Sequence, residues 1–211
     1  MSAERTEQYR GAPGHRQFGP SSAVTRHLEA LLPLLALDRL PRTGWLVAGV
    51  ANPESVAAHS LGTALVVLAL GPGVEPRLDV DRAVTLAVLH DAPEALLGDL
   101  PRTASECLPR GAKAAAERAA AERLLAPLSE LSLARSAEYR AQETREARFV
   151  RACDKLHLGL RWLGYRREGA RVPGGFGATL TALDCREFTP CAELRAEILA
   201  AEEELARGER G

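Results

Sequence analysis

Four ionisable residues stand where the sequence otherwise writes apolar helix. His59 lies among Ala57, Leu61, Leu65 and Val66; His90 and Asp91 follow Val84, Ala87, Val88 and Leu89; Asp154 sits between Cys153 and Leu156. A carboxylate taken out of water is strongly disfavoured unless it is paired or bound to a metal. Each residue alone has an ordinary reading: His59 as a satisfied core histidine, His90-Asp91 as a helix end in water, Asp154 as a surface acid beside Arg151 and Lys155. Three separate helices, however, each carry such a group, and packed helices can bring them together in a bundle core. Two imidazoles and two carboxylates form a mixed N/O set that suits one divalent ion (Mn, Co, Fe, Zn or Mg) and leaves positions open for water and substrate. His15, His27 and His157 are not expected to be ligands.

The elements that must position these groups read as helices. Residues 1–20 are polar and punctuated by Gly and Pro, and are expected to form a mobile tail. Ser21 or Ser22 is expected to cap a helix towards residue 37, with Leu28, Leu31, Leu32 and Leu35 on one side, which Pro33 should kink or divide. Residues 40–50 read as a connection. Asn52-Pro53 supplies an N-cap and a first-turn proline for a helix over 54–70, which stops at Gly71-Pro72-Gly73. Asp79 or Asp81 opens the next helix. It runs to about Asp91, where Pro93 breaks it, and a short turn over 94–97 ends at Gly98. Residues 112–125 are Ala/Glu/Arg-rich helix. Residues 131–165 hold one or two helices that bury Phe149, Val150, Cys153, Leu156 and Leu160. Residues 169–177 read as a loop, and Thr189-Pro190 opens a last helix to about 206. No confident strand, repeat or heptad array is present, so the fold class is all-α, with the main domain over 21–211.

Composition narrows the function classes. The 211 residues are 46% apolar, enough for one sizeable core. The 27 Lys and Arg nearly balance the 28 Asp and Glu, leaving no surplus to neutralise a nucleic-acid backbone. The longest apolar run, around 64–70, is shorter than the ~20 residues a spanning helix needs. The four cysteines form no C-x-x-C pair, and the N-terminus shows no apolar leader, so a reducing, cytoplasmic setting is expected.

The order His59, His90-Asp91, Asp154 resembles the H…HD…D signature of the HD superfamily of metal-dependent phosphohydrolases. The stretch HDAPEALLGDLPR over 90–102 is similar to the HD-x-x-E-x-x-x-x-D-x-P segment of its 5'-deoxynucleotidases. PRTGW over 41–45 and PESVAAHS over 53–60 resemble two further segments of those enzymes. The likeness covers roughly 28–163; it departs at Ala58, where the family carries Glu or Asp before the first metal histidine.

The resemblance implies a helical bundle with the metal in its core, held by His59, His90, Asp91 and Asp154. It implies hydrolysis of deoxyribonucleoside or ribonucleoside 5'-monophosphates to nucleoside and phosphate. Glu94 is the expected general base. Asp99 would bond the sugar or assist the leaving oxygen, with Leu100, Pro101 and Arg102 as a pocket wall. Arg42 is the expected phosphate clamp, because its planar fork can bond two oxygens. Trp45 would lie beside the sugar and exclude the 2'-hydroxyl, and Arg102 would hold the phosphate if Arg42 faced away. The expected partner is a small-molecule nucleotide, with neither a nucleic-acid polymer nor a membrane, and with a homodimer left open. Two alternatives remain at this stage: an HD phosphohydrolase for triphosphates, alarmones or cyclic nucleotides, and a non-catalytic nucleotide- or metal-binding regulatory module.

Overall fold

Short polar side chains set where several helices begin in the computed structural model, which describes residues 23–172 and 175–208. Ser55, Asp79, Ser129 and Thr144 each accept a hydrogen bond from a backbone N–H three residues on. The order is α1 (Ala23–Leu34), a 3₁₀ turn (Leu35–Asp38), α2 (Thr43–Val47), α3 (Val56–Leu70), α4 (Val80–Leu89), α5 (Glu94–Leu97), α6 (Arg102–Glu106), α7 (Ala112–Leu125), α8 (Glu130–Ala141), α9 (Arg145–Arg167), α10 (Gly175–Thr181) and α11 (Thr189–Gly208). Among the described residues there is no strand, only an isolated bridge between Pro41 and Ser55. The tail, His15 and the Ser21 or Ser22 cap lie outside the described residues.

The long helix α9 is the axis. It packs on α3, α4, α8, α10 and α11, and α3 also packs on α4. Val67 from α3, Leu86 from α4, Phe149 and Leu156 from α9 and Ile198 from α11 share one core. Each fully buried side chain of this size stabilises the fold by about 1.5–3 kcal/mol through removal of apolar surface from water. A smaller cluster of Ala92, Ala121, Leu124 and Leu125, joined by Leu34 and Leu89, holds α7 and α1 against the turn that follows α4.

Several boundaries differ from the sequence reading for identifiable reasons. Asn52 does not cap α3. Arg42 N–H donates to the Glu54 carbonyl at 2.9 Å and Val56 N–H to the Leu40 carbonyl at 2.9 Å, so Pro53 and Glu54 are held extended and Ser55 becomes the cap. The segment expected as a connection contains α2. Pro33 lies in the last turn of α1, after which the chain tightens to 3₁₀. Leu28, Leu31, Leu32 and Leu35 face outward, and Ala30 and Leu34 make the packing face instead. Gly175 already belongs to a helix, so the glycine loop closes sooner than its composition suggests. By length and composition residues 56–73 are apolar enough to cross a membrane, although the continuous apolar run within them is short. In the structure this window is the central helix α3, packed on α4 and α9 and exposing Leu61, Leu65 and Leu68.

Candidate metal centre

Helix α4 ends at Leu89, and His90 takes the C-cap position. Pro93 carries no N–H to continue the ladder, so the chain turns through short-range bonds: Ala92 N–H to the Leu89 carbonyl and Glu94 N–H to the Asp91 carbonyl. This turn lets His90, Asp91 and Glu94 face one hollow while the backbone changes direction. Helix α3 contributes His59 and α9 contributes Asp154, both buried.

The four expected ligands converge. His59 Nε2 lies 3.0 Å from Asp154 Oδ1 and 3.7 Å from Asp91 Oδ2, and His90 Nε2 lies 3.1 Å from Asp91 Oδ2. His90 Nδ1 is 2.7 Å from the Ala87 carbonyl, which can only accept, so the proton sits on Nδ1 and the lone pair on Nε2 faces the cluster. His90 Nε2 is buried without a hydrogen-bond partner despite its proximity to Asp91, and Glu94 Oε2 is likewise unpartnered. Nitrogen and oxygen donors gathered without enough hydrogens between them fit a divalent cation. The hollow holds about 210 Å³ and is lined by His90, Asp91, Glu94 and Asp154, with Lys113, Arg140, Arg151 and Lys155 also on its walls.

The carboxyls here divide into two protonation classes. Burial would raise Asp91, but His90, Arg42 and His59 outweigh it and hold the carboxyl well below its usual range. Burial would likewise raise Asp154, and Lys155 and His59 outweigh it. Glu94 goes the other way. Burial, together with Asp91, pushes it up to about 9, against the opposing pull of Arg42. Environments that drive neighbouring carboxyls apart separate groups that bind a cation from a group that handles a proton.

Arg42 faces the centre rather than away from it. Its Nη1 lies 3.2 Å from Asp91 Oδ2, 3.3 Å from Asp99 Oδ1 and 3.7 Å from Glu94 Oε2. Burial disfavours its charge, but Asp91 and Asp99 outweigh that and keep it cationic. Gly98, at φ 77°, ends α5 in a conformation L side chains rarely adopt. The chain then presents Asp99, which accepts from Thr43 N–H at 2.5 Å and so fixes the start of α2. Leu100 and Pro101 are half-buried beyond it.

Two residues expected at the substrate do not line the hollow beside the ligands. Trp45, expected beside the sugar, is packed in the core. It is 1% exposed, stacks on Phe176, meets Tyr165 edge-on and donates from Nε1 to Glu54 at 3.1 Å. Its bulk is used in the core because α2 turns its apolar side inward. Arg102, expected as a substitute clamp, has a side chain that is 87% exposed and paired with Glu106 one turn on, and it lines a neighbouring hollow together with Arg151 and Lys155.

The sequence reading missed two groups. The cations Lys113, Arg140, Arg151 and Lys155 come from α7, α8 and α9, remote in sequence from the motif. His157, set aside as a non-ligand, lies with its Nδ1 2.9 Å from Nδ1 of His59. Burial, with His59 and Arg161, holds His157 down to about 3, so it is neutral. Its position three residues after Asp154 on the same helix was the available signal.

Comparison with known proteins agrees with this geometry. The sequence profile of the HD domain family matches residues 36–174. The chain is 32% identical over 162 residues to 5'-deoxynucleotidase HDDC2 of Xenopus laevis, covering 74% of this chain and 77% of that protein. It is 30% identical over 143 residues to 5'-deoxynucleotidase hdd1 of Schizosaccharomyces pombe, covering 64% and 70%. With the Homo sapiens HDDC2 the match is 32% over 127 residues, 58% of this chain and 59% of that protein. Among solved structures, the PH0347 protein of Pyrococcus horikoshii superposes with a TM-score of 0.71 at 29% identity, covering 82% of this chain and 99% of that one. A predicted metal-dependent phosphohydrolase from Magnetospirillum magnetotacticum, at 23% identity and TM-score 0.62 over 89% of this chain and 95% of that one, shares the fold.

Proposed function

Because this chain belongs to the HD domain family, we propose that it is a metal-dependent 5'-nucleotidase that hydrolyses deoxyribonucleoside 5'-monophosphates to nucleoside and phosphate. One observation carries the reading: two imidazole Nε2 atoms and the carboxylates of Asp91 and Asp154 meet within 3.0–3.7 Å, contact by contact, beside a hollow lined by His90, Asp91, Glu94 and Asp154. His59, His90, Asp91 and Asp154 bind the ion. When bound, a divalent ion supplies Lewis acidity towards a phosphoryl oxygen and lowers the pKa of water. Burial and Asp91 keep Glu94 protonated near neutral pH in the metal-free centre; the charge of a bound divalent ion would return it to the carboxylate, which would then take the proton from the attacking water. Arg42 and Asp99 stand beside Asp91, with Leu100 and Pro101 half-buried beyond them.

Phosphate needs positive charge around it, and the hollow is lined by Lys113, Arg140, Arg151 and Lys155. Arg151 and Lys155 also line a neighbouring hollow of about 1140 Å³ bounded by Gly175, Ala178 and Phe188, which is large enough for the nucleoside. Four free cysteines support a reducing, cytoplasmic setting. Outward-facing leucines on α1, the 3₁₀ turn and α3 support a homodimer.

The test is a purified-protein assay of phosphate release from paired deoxy- and ribonucleoside monophosphates, each with Mn²⁺, Co²⁺, Fe²⁺, Zn²⁺ or Mg²⁺. Release that depends on the metal and favours deoxy substrates is expected. Release only from triphosphates, alarmones or cyclic nucleotides would replace this substrate class, and binding without release would leave a regulatory module.

A further inference from the structure

On the side of His59 turned away from the carboxylates stands a second imidazole. His157 Nδ1 lies 2.9 Å from His59 Nδ1. Glu54 lies behind both rings, with Oε2 3.8 Å from His157 Nε2 and Oε1 3.9 Å from His59 Nδ1. All three residues are buried. Glu54 is itself pinned: Trp45 Nε1 donates to its Oε1 at 3.1 Å, its own backbone N–H donates to the Tyr165 hydroxyl at 2.7 Å, and Arg161 Nε lies 3.5 Å from Oε2.

His59 turns Nε2 towards Asp154 and Asp91. An imidazole that offers the Nε2 lone pair to a cation carries its proton on Nδ1. That N–H then meets His157 Nδ1, which must be the accepting nitrogen. The proton of His157 is thereby placed on Nε2, the side on which Glu54 stands. One directional hydrogen bond thus joins the two rings, and the Glu54 carboxyl stands 3.8 Å beyond His157 Nε2.

Gly62 shows that space is kept for this pair of rings. It follows His59 by three residues on α3 and so faces the same way. A Cβ at Gly62 would lie 2.0 Å from His157 Nε2. Glycine inside a helix is disfavoured by about 1 kcal/mol against alanine. The sequence carries it here where the imidazole of His157 crosses the helix surface.

We propose that His157, backed by Glu54, is the positioning residue of the metal centre: it fixes the tautomer and ring orientation of His59 so that Nε2 faces the ion. The proposal rests on the four-ligand reading above. Partners of this kind typically change metal affinity by about 10–100-fold when removed.

The experiment titrates the metal-free full chain with Co²⁺, following visible absorption and calorimetry. It compares wild type with His157→Leu, His157→Asn, Gly62→Ala and His90→Ala. Wild type is expected to bind one Co²⁺. His157→Leu should weaken binding by about 10–100-fold. His157→Asn should recover most of the loss, because its Oδ1 can sit where Nδ1 sat and accept the same hydrogen bond. Gly62→Ala, which keeps His157 but displaces its ring, should weaken binding in the same direction. Circular dichroism and melting of the metal-free proteins identify variants that fail to fold. If His157→Leu folds and binds Co²⁺ with wild-type affinity, or if His157→Asn is no better than His157→Leu, the positioning role is overturned. Two Co²⁺ in wild type, one of them lost in His157→Leu, would overturn it by making His157 a ligand. If His90→Ala leaves Co²⁺ binding unchanged, the four-ligand reading itself fails and this inference falls with it. An active His90 with an indifferent His157 defeats the inference alone.

Discussion

Replacing Arg42 by methionine keeps most of the apolar stem and removes the charge. In the structure that charge stands 3.2 Å from Asp91, 3.3 Å from Asp99 and 3.7 Å from Glu94, with the side chain 14% exposed. Removing one partner of a buried ion pair destabilises a protein by about 3–5 kcal/mol, because the remaining charge is left without compensation. Glu94 already holds its proton near neutral pH, so the uncompensated charges reduce to those of Asp91 and Asp99, and the low end of that range applies. At about 2–4 °C per kcal/mol for a chain of this size, 3 kcal/mol lowers the melting temperature by roughly 6–12 °C. A bound divalent ion restores part of this. Binding to the native state alone adds about 2.7 kcal/mol when the ion is at a hundred times its Kd. The variant should gain more than wild type, since its carboxylates are no longer neutralised by a neighbouring cation. The assay is thermal melting of both proteins with and without saturating Mn²⁺. Equal melting temperatures in the metal-free proteins, or equal gains on adding the ion, would refute the idea that Arg42 and the ion stabilise the same carboxylates.

Glu94→Gln should lower turnover by about 10²–10⁴-fold while leaving Co²⁺ affinity and KM close to wild type, measured by phosphate release and titration; an unchanged kcat removes Glu94 as the base. Trp45→Ala should destabilise the fold by about 3–5 kcal/mol, as for other buried aromatics, and leave the deoxy-to-ribo ratio of kcat/KM unaltered in the protein that remains folded; a collapsed ratio would return Trp45 to the substrate pocket. Glu138 is held below its usual range because its bonds with Arg82 and Thr144, and with Arg135, outweigh burial, which alone would raise it. A lowered folded-state pKa gives stability that is fully present above the ordinary carboxylate range and is lost as the pH falls through the folded value. Glu138→Gln should therefore destabilise the neutral protein by about 1.5 kcal/mol, the low end because Arg82 is one-third exposed, and its melting temperature should converge on wild type as the pH drops below 4.5, the ordinary carboxylate value. Parallel curves would contradict the assignment.

The motif was legible because its chemistry conflicts with its surroundings. A His-Asp pair after Leu86, Ala87 and Leu89, or an Asp beside Cys153 and Leu156, asks for a partner in any fold. The helix order was legible for the same kind of reason: Asp79, Gly98 and Pro93 act through local backbone geometry. What failed depended on contacts distant in sequence. Asn52-Pro53 has the chemistry of a helix start, but the bridge between Pro41 and Ser55 holds the segment extended. Trp45 has the chemistry of a sugar platform, but Phe176, 131 positions away and beyond the recognised motif, covers its face. No local pattern carries that information.

The cations show what this limit means for function. Judged from the motif alone, Arg42 and Arg102 are the positive charges near the centre, which argues for a small substrate. The fold leaves Arg102 exposed on the neighbouring hollow, paired with Glu106, and ties Arg42 to three carboxyls. It supplies Lys113, Arg140, Arg151 and Lys155 in their place. Several of these are already engaged: Lys155 lies 2.9 Å from Asp154, Lys113 3.5 Å from Glu117, and Arg140 bonds Ser136. A richly basic wall would favour a chain of phosphates, whereas a wall in which Lys113, Arg140 and Lys155 are shared with neighbouring polar groups favours one. The wall therefore supports the monophosphate reading by the degree to which its charges are already partnered, and the hollow of about 210 Å³ beside the ligands limits the reacting group to a similar size.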